Sequence, residues 1–195
     1  MRWRPINASF DPADTELASG FTIAQYRRAC ELRDAGTIAN AIESRFCERY
    51  FHPISGKKKH GFAMMAIACL MIEAFQSLRT GLPNTRRRSK DVFVEFFEAE
   101  RASFTELAEH AERFYINVRC GILHQAETNG GWRIRRTGHL FDLESRTINA
   151  VHFIRTLKAI LHSFCSTLAK SEWDSDQWTR VRKKLNKVCD NCIPR

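Results

Sequence analysis

The segment 62–80, FAMMAIACLMIEAFQSLRT, carries one acid, Glu73, and one base, Arg79, in nineteen residues. A surface helix keeps one polar face, so a helix that is apolar on nearly every side has to be wrapped by other elements. The segment therefore predicts a central core helix, closed by Gly81 and Pro83, and obliges the rest of the chain to supply its cover. Its longest unbroken apolar run, 62–72, has eleven residues. That is short of the ~20 needed to span a bilayer, and no membrane role is expected.

The cover reads as helical too. Thr22 and Gln25 have capping-box spacing and open a helix that ends near Ala35, with Gly36 as its stop. Thr37 can cap the next helix, in which Ile38, Ile42, Phe46 and Tyr50 recur every four residues until His52-Pro53 ends it. These two form a helical hairpin or one broken helix. Beyond the central helix, DVFVEFFEAE (91–100) is read as helical, and Ser103 with Glu106 forms a second capping box for a helix running to about Gln125. Asn129-Gly130-Gly131 then breaks the chain, and WRIRRTGHLFDL (132–143) reads as two short strands around Thr137-Gly138. Helical spacing returns over 145–170 through Ile148, Val151, Ile154, Leu157, Leu161 and Leu168, followed by a basic helix over 176–188 and a loose tail from Cys189. The sum is an all-α, up-and-down helical bundle with a small β-hairpin inserted before the last core helix. It forms a single domain over 1–195, with its core at about 61–170, an N-terminal helical extension at about 20–52 and the basic helix at its C-terminal end.

A chain of 195 residues buries enough surface to need neither a disulfide nor a metal to close its core. Its seven cysteines, irregularly spaced and mostly within apolar stretches, are read as reduced thiols. Cys189-x-x-Cys192 lacks the second pair that a tetrahedral site requires, so neither metal nor cofactor is expected. The opening MRWRPINASF has no apolar core of a signal sequence, and a cytoplasmic location is the expectation. Thirty-one Lys plus Arg against twenty-two Asp plus Glu leave a net charge of +9, and 22 of the cations are Arg. A guanidinium presents a planar fork of donors to phosphate oxygens, so the balance suits polyanion recognition as well as a merely solvated basic surface.

On a wheel of about 100° per residue, Phe104, Leu107, Ala111, Phe114, Val118 and Ile122 form a core stripe on the helix 103–125. Ile116, Cys120 and Leu123 form a second apolar stripe roughly opposite, where a surface helix would carry charge. Either the N-terminal helices of the same chain cover it or a second copy does. In an isologous dimer, Arg119 and His124, which diverge within one chain, would line one shared cleft. The string Arg119-Cys-Gly-Ile-Leu-His124 resembles the R-x4-6-H motif of the HEPN superfamily of helical bundles. Spacing alone does not single it out, since Arg45/His52, Arg133/His139, Arg146/His152 and Arg155/His162 also fit. Only Arg119/His124 follows an aromatic-rich turn near the end of a late helix, in FYINVRCGILHQAETNGGWRIRR, which is similar to small plasmid-borne HEPN proteins over about 61–170.

That resemblance implies a homodimeric, metal-independent endoribonuclease of plasmid maintenance, toxin–antitoxin or antiviral defence systems, with RNA as substrate and an antitoxin as a further partner. Arg119 would offset charge on the phosphorane, and His124 would move a proton while the RNA 2′-hydroxyl attacks. An imidazole, with an ordinary pKa of about 6.5, suits that task near neutrality. Many active members carry a polar residue after the motif Arg. Here it is Cys120, which leaves open a catalytically inactive module that binds RNA, a nucleotide or a protein partner. Glu73, the lone acid of the apolar helix, could orient Arg119 or His124 or emerge into solvent. Asn117 and Gln125 are candidate substrate-positioning groups, and Cys120 reads as packing rather than nucleophile. Three basic clusters could hold the RNA backbone: Lys57, Lys58 and Lys59; Arg86, Arg87 and Arg88; and Arg133, Arg135 and Arg136, with Trp132 beside them for base stacking. Alternating Arg on a strand is also how an exposed edge avoids aggregation.

Overall fold

The computed structural model describes residues 11–56 and 60–192. Lys57, Lys58 and Lys59, the first ten residues and the last three lie outside them. The fold is an all-α bundle with a small β insert. Its centre is α3 (Gly61–Thr80), buried at Met65, Ala68, Cys69, Ile72 and Phe75. Around it pack α4 (Ser89–Ala99), α8 (Ala150–Lys170) and α9 (Asp176–Asn191). At twenty residues α3 is long and apolar enough to cross a membrane by length and composition, which the count of its longest apolar run had missed. Here most of it is covered by its neighbours, with Leu70 left 46% exposed. It ends as the sequence predicts. Gly81 adopts φ 70°, its N–H donates to the Leu78 carbonyl at 3.4 Å, and the Leu82 N–H donates to that of Ser77 at 3.0 Å. This is the 6→1, 5→2 pair that a left-handed residue after a helix permits. A side chain at Gly81 would also meet the Arg180 backbone at 3.0 Å.

A short antiparallel pair, β1 (Glu16–Ala18) and β2 (Phe21–Thr22), leads into α1 (Ile23–Glu31). The Thr22–Gln25 capping box forms as expected, with the Thr22 N–H donating to Gln25 Oε1 at 2.7 Å and the Gln25 N–H to Thr22 Oγ1 at 3.3 Å. The next boundary differs from expectation: α2 (Ala35–Phe46) begins before Thr37 and takes Gly36 inside it. Asp34 is the cap, because its carboxylate accepts both the Thr37 N–H and the Thr37 hydroxyl. Ile38, Ile42 and Phe46 are buried, and α2 packs against α8. A widened π turn, Cys47–Phe51, and a tight turn, His52–Ile54, close this part.

The helix expected over 103–125 is broken. Instead of a Ser103–Glu106 box, α5 (Thr105–Ala108) starts without a side-chain cap. After it come α6 (Ala111–Phe114), a π turn (Tyr115–Cys120) and α7 (Gly121–Gln125). The core stripe nonetheless holds, because Phe104, Leu107, Ala111, Phe114, Val118 and Ile122 are all buried. Phe114 stacks on Phe153 of α8 with centroids 5.6 Å apart and meets Phe97 of α4 edge-on at 5.1 Å. The aromatic stretch 91–100 is thus helical because it wedges this cluster against α3.

The insert has three strands, β3 (Arg133–Arg135), β4 (Phe141–Asp142) and β5 (Thr147–Asn149), in the order β3-β5-β4. The hairpin is β4 with β5, antiparallel, and β3 runs parallel to β5. The two strands predicted around Thr137-Gly138 therefore exist without pairing to each other. The start of the helix predicted at 145 is β5, and α8 begins only after the cap at Asn149. The basic face of α9 is more than solvated. Arg182 lies over the Trp173 ring at 4.5 Å, Arg180 Nε donates to the Arg79 carbonyl at 3.1 Å, and Lys184 Nζ donates to that of Pro83 at 3.1 Å. Nor is the segment after Val188 loose at its start, since α9 continues to Asn191 with Cys189 buried and its thiol pKa pushed up to about 11 by that burial.

Candidate functional site

Arg119 sits in the π turn that joins α6 to α7, where each residue advances less around the axis than in an α-helix. Its guanidinium turns toward α3. Nη2 donates to both oxygens of Glu73, at 3.1 and 3.3 Å, and the two side chains are only 14% and 15% exposed. The guanidinium also lies 5.3 Å from the centre of the Tyr115 ring, one turn earlier in the chain. Tyr115 is itself held edge-on against Phe93 at 5.4 Å. Of the two fates open to Glu73, the structure realises the pair with Arg119. The acid lies about two-thirds of the way along α3, on a face that the π turn overlays.

Burial disfavours the Arg119 charge, yet the Glu73 carboxylate, with Tyr115 and the neighbouring Cys120, more than offsets this and lifts its pKa above the ordinary value. Burial likewise raises the Tyr115 phenol, against the pull of Arg119. Cys69 of α3, fully buried beside the pair, is held well above the usual thiol range by its burial. Arg119 Nε is enclosed with no acceptor among the described residues. One N–H of the guanidinium is therefore unspent.

His124 is exposed on the last turn of α7, and no hydrogen bond or ion pair joins it to Arg119. Between and around them the second apolar stripe stays bare: Ile116 is 53% exposed and Leu123 37%, with Cys120 half-buried. The described N-terminal helices do not cover it. Gly121, inside the motif, is fixed by close approach, because a Cβ there would lie 2.4 Å from the Glu127 carbonyl oxygen of the loop folding back over α7. Asn117 serves that loop. Its carbonyl accepts the Asn129 N–H at 2.8 Å, and its side-chain amide donates to the Arg113 carbonyl at 2.9 Å. Gln125 is exposed at the helix end.

The expected RNA-binding clusters separate. Trp132 is buried and stacked on Phe141 at 5.3 Å, so it belongs to the core and cannot receive a base. Its place before a strand of alternating Arg had suggested an exposed ring. The aromatic cluster below explains its burial. Arg133 and Arg135 are exposed and, with His139, Asp142 and Thr147, line a polar recess of about 370 Å³ on the insert. Arg136 is half-buried. Arg86, Arg87 and Arg88 are exposed before α4, where Arg88 is drawn to Glu95 at 2.9 Å and Asp91 at 3.7 Å. Two site residues, Tyr115 and Cys69, went unnoticed in the sequence. Tyr115 was open to detection, since a residue four before Arg119 shares its helical face. Compared with models of protein families, with curated proteins and with solved structures, the chain matches none.

Proposed function

We propose that this chain is a metal-independent endoribonuclease of the HEPN type that acts as a cytoplasmic homodimer. The observation that carries the reading is the pairing of a bare apolar stripe, Ile116 and Leu123, with a rigidly held Arg119 and an exposed His124 on the same short stretch. Two copies meeting on that stripe would bring two guanidinium and two imidazole groups to one seam. A guanidinium that is already positioned reorganises little when charge develops on a phosphorane. The imidazole would relay the proton as the RNA 2′-hydroxyl attacks the adjacent phosphorus and the 5′-oxygen leaves. The products are a 2′,3′-cyclic phosphate and a 5′-hydroxyl, and DNA, which has no 2′-hydroxyl, is spared. The exposed Arg133 and Arg135, together with Arg86 and Arg87, would guide the backbone. An antitoxin would be the partner if the activity belongs to a plasmid maintenance or defence system.

One observation favours a binding module instead: Glu73 already partners Arg119, and Cys120 stands where many active HEPN proteins carry a polar group. Incubating the purified protein with structured and unstructured RNA in EDTA, beside Arg119→Ala and His124→Ala, tests both readings. Cleavage that both substitutions abolish supports the nuclease. RNA retained without cleavage supports the module, and neither result leaves neither reading standing.

A further inference from the structure

A recess of about 200 Å³ opens where α2 and the π turn after it face α3 and α9. Its floor is apolar, made by Phe46, Leu78 and Leu185, and its rim carries Arg45, Arg49, Lys184 and the Tyr50 phenol. None of the described residues that line it is acidic. Neutral groups hold two of the cations in place: Arg45 Nη1 donates to the Leu17 carbonyl, and Lys184 Nζ donates to that of Pro83 at 3.1 Å. Burial, then the charge of Arg49, pushes the Arg45 pKa down. Burial, then Arg45, does the same to Lys184. Two other shielded guanidinium groups differ, for Arg79 has Glu100 at 2.8 Å and Arg119 has Glu73 at 3.1 Å. Three cations gathered over an apolar floor without a carboxylate leave a charge that an incoming anion would balance.

We propose that this recess binds a small phosphate monoester whose organic part is a single apolar or aromatic ring. The phosphate dianion would sit among Arg45, Arg49 and Lys184, taking charge-assisted bonds from the guanidinium forks, and the ring would lie on Phe46, Leu78 and Leu185. The volume sets the size of the body, being below the ~300–1,000 Å³ of pockets for drug-sized ligands. The site is separate from the proposed nuclease centre. Ala74 and Leu78 of α3 line it, whereas Glu73 of the same helix is committed to Arg119.

Calorimetric titration of the full chain at low ionic strength, with phenyl phosphate, inorganic phosphate and phenol as probes, tests the assignment. Phenyl phosphate should bind one per chain, about tenfold or more tighter than inorganic phosphate, and phenol should not bind. Arg49→Gln and Lys184→Gln should each weaken phenyl phosphate about tenfold or more. Arg49→Gln should not lower the Tm of the free protein, since it relieves like-charge repulsion with Arg45, whereas Lys184→Gln also gives up its bond to the Pro83 carbonyl. Arg119→Ala should leave this binding unchanged, which separates the outcome from that of the nuclease assay. The proposal is overturned by the absence of saturable phenyl phosphate binding, by equal affinity for inorganic phosphate, or by binding that survives both substitutions.

Discussion

Glu73 and Arg119 are each other's counter-charge in a place that water scarcely reaches. Removing one partner of such a pair strands the other, and the stranded charge rather than the lost bond dominates the cost. Glu73→Ala is therefore expected to destabilise the fold by about 3 kcal/mol in urea unfolding, with Glu73→Gln recovering part through a neutral hydrogen bond. A loss under about 1 kcal/mol would put the pair in the class of exposed ion pairs. The sequence marked Glu73 as the one acid of an apolar helix but could not choose its fate. That choice depends on which segment, 46 residues away, lies over it. Trp132 failed for the same reason. Nothing local distinguishes an indole that stacks on Phe141 from one that waits for a base.

At the scale of elements, what was legible is what is decided within one turn. The Thr22 box and the Gly81 stop each need only neighbours a few residues apart, and both form as read. The wheel over 103–125 placed the core stripe but assumed an unbroken 100° step. The π turn at Tyr115–Cys120 slips that frame, so the relation between Arg119 and His124 was beyond it. Three-residue β5 is too short to show a period of two, and Ile148 with Val151 mimics helical spacing. The residue that resolves the ambiguity is Asn149. Its Oδ1 accepts the Val151 and His152 N–H groups at 3.1 and 3.2 Å, and its amide donates to the Gly138 carbonyl at 2.7 Å. Asn149→Ala should thus cost about 2 kcal/mol or more, combining a lost cap with an unsatisfied carbonyl, whereas Asn149→Asp should keep the cap alone. Thermal unfolding of the two variants, compared with wild type, reads the difference.

For the whole molecule, the open question posed by the bare stripe is what meets it. If two copies do, sedimentation equilibrium should show a dimer at micromolar concentration. Ile116→Asp with Leu123→Asp should then give a monomer with an unchanged helical circular dichroism spectrum, because both side chains already face outward. A wild-type chain that stays monomeric at tens of micromolar would remove the shared seam, and with it the nuclease reading. The parallel pairing in the insert bears on how the protein is made. As the polypeptide leaves the ribosome, residues 133–135 have no partner in the sheet until 146–149 have emerged, because β4 bonds only to β5. Asn149 is both the last rung beside Arg135 and the first anchor of α8. Closure of the sheet and nucleation of the long helix are then a single late event, whereas the ring partners of Trp132, Phe114 and Phe141, are made before it.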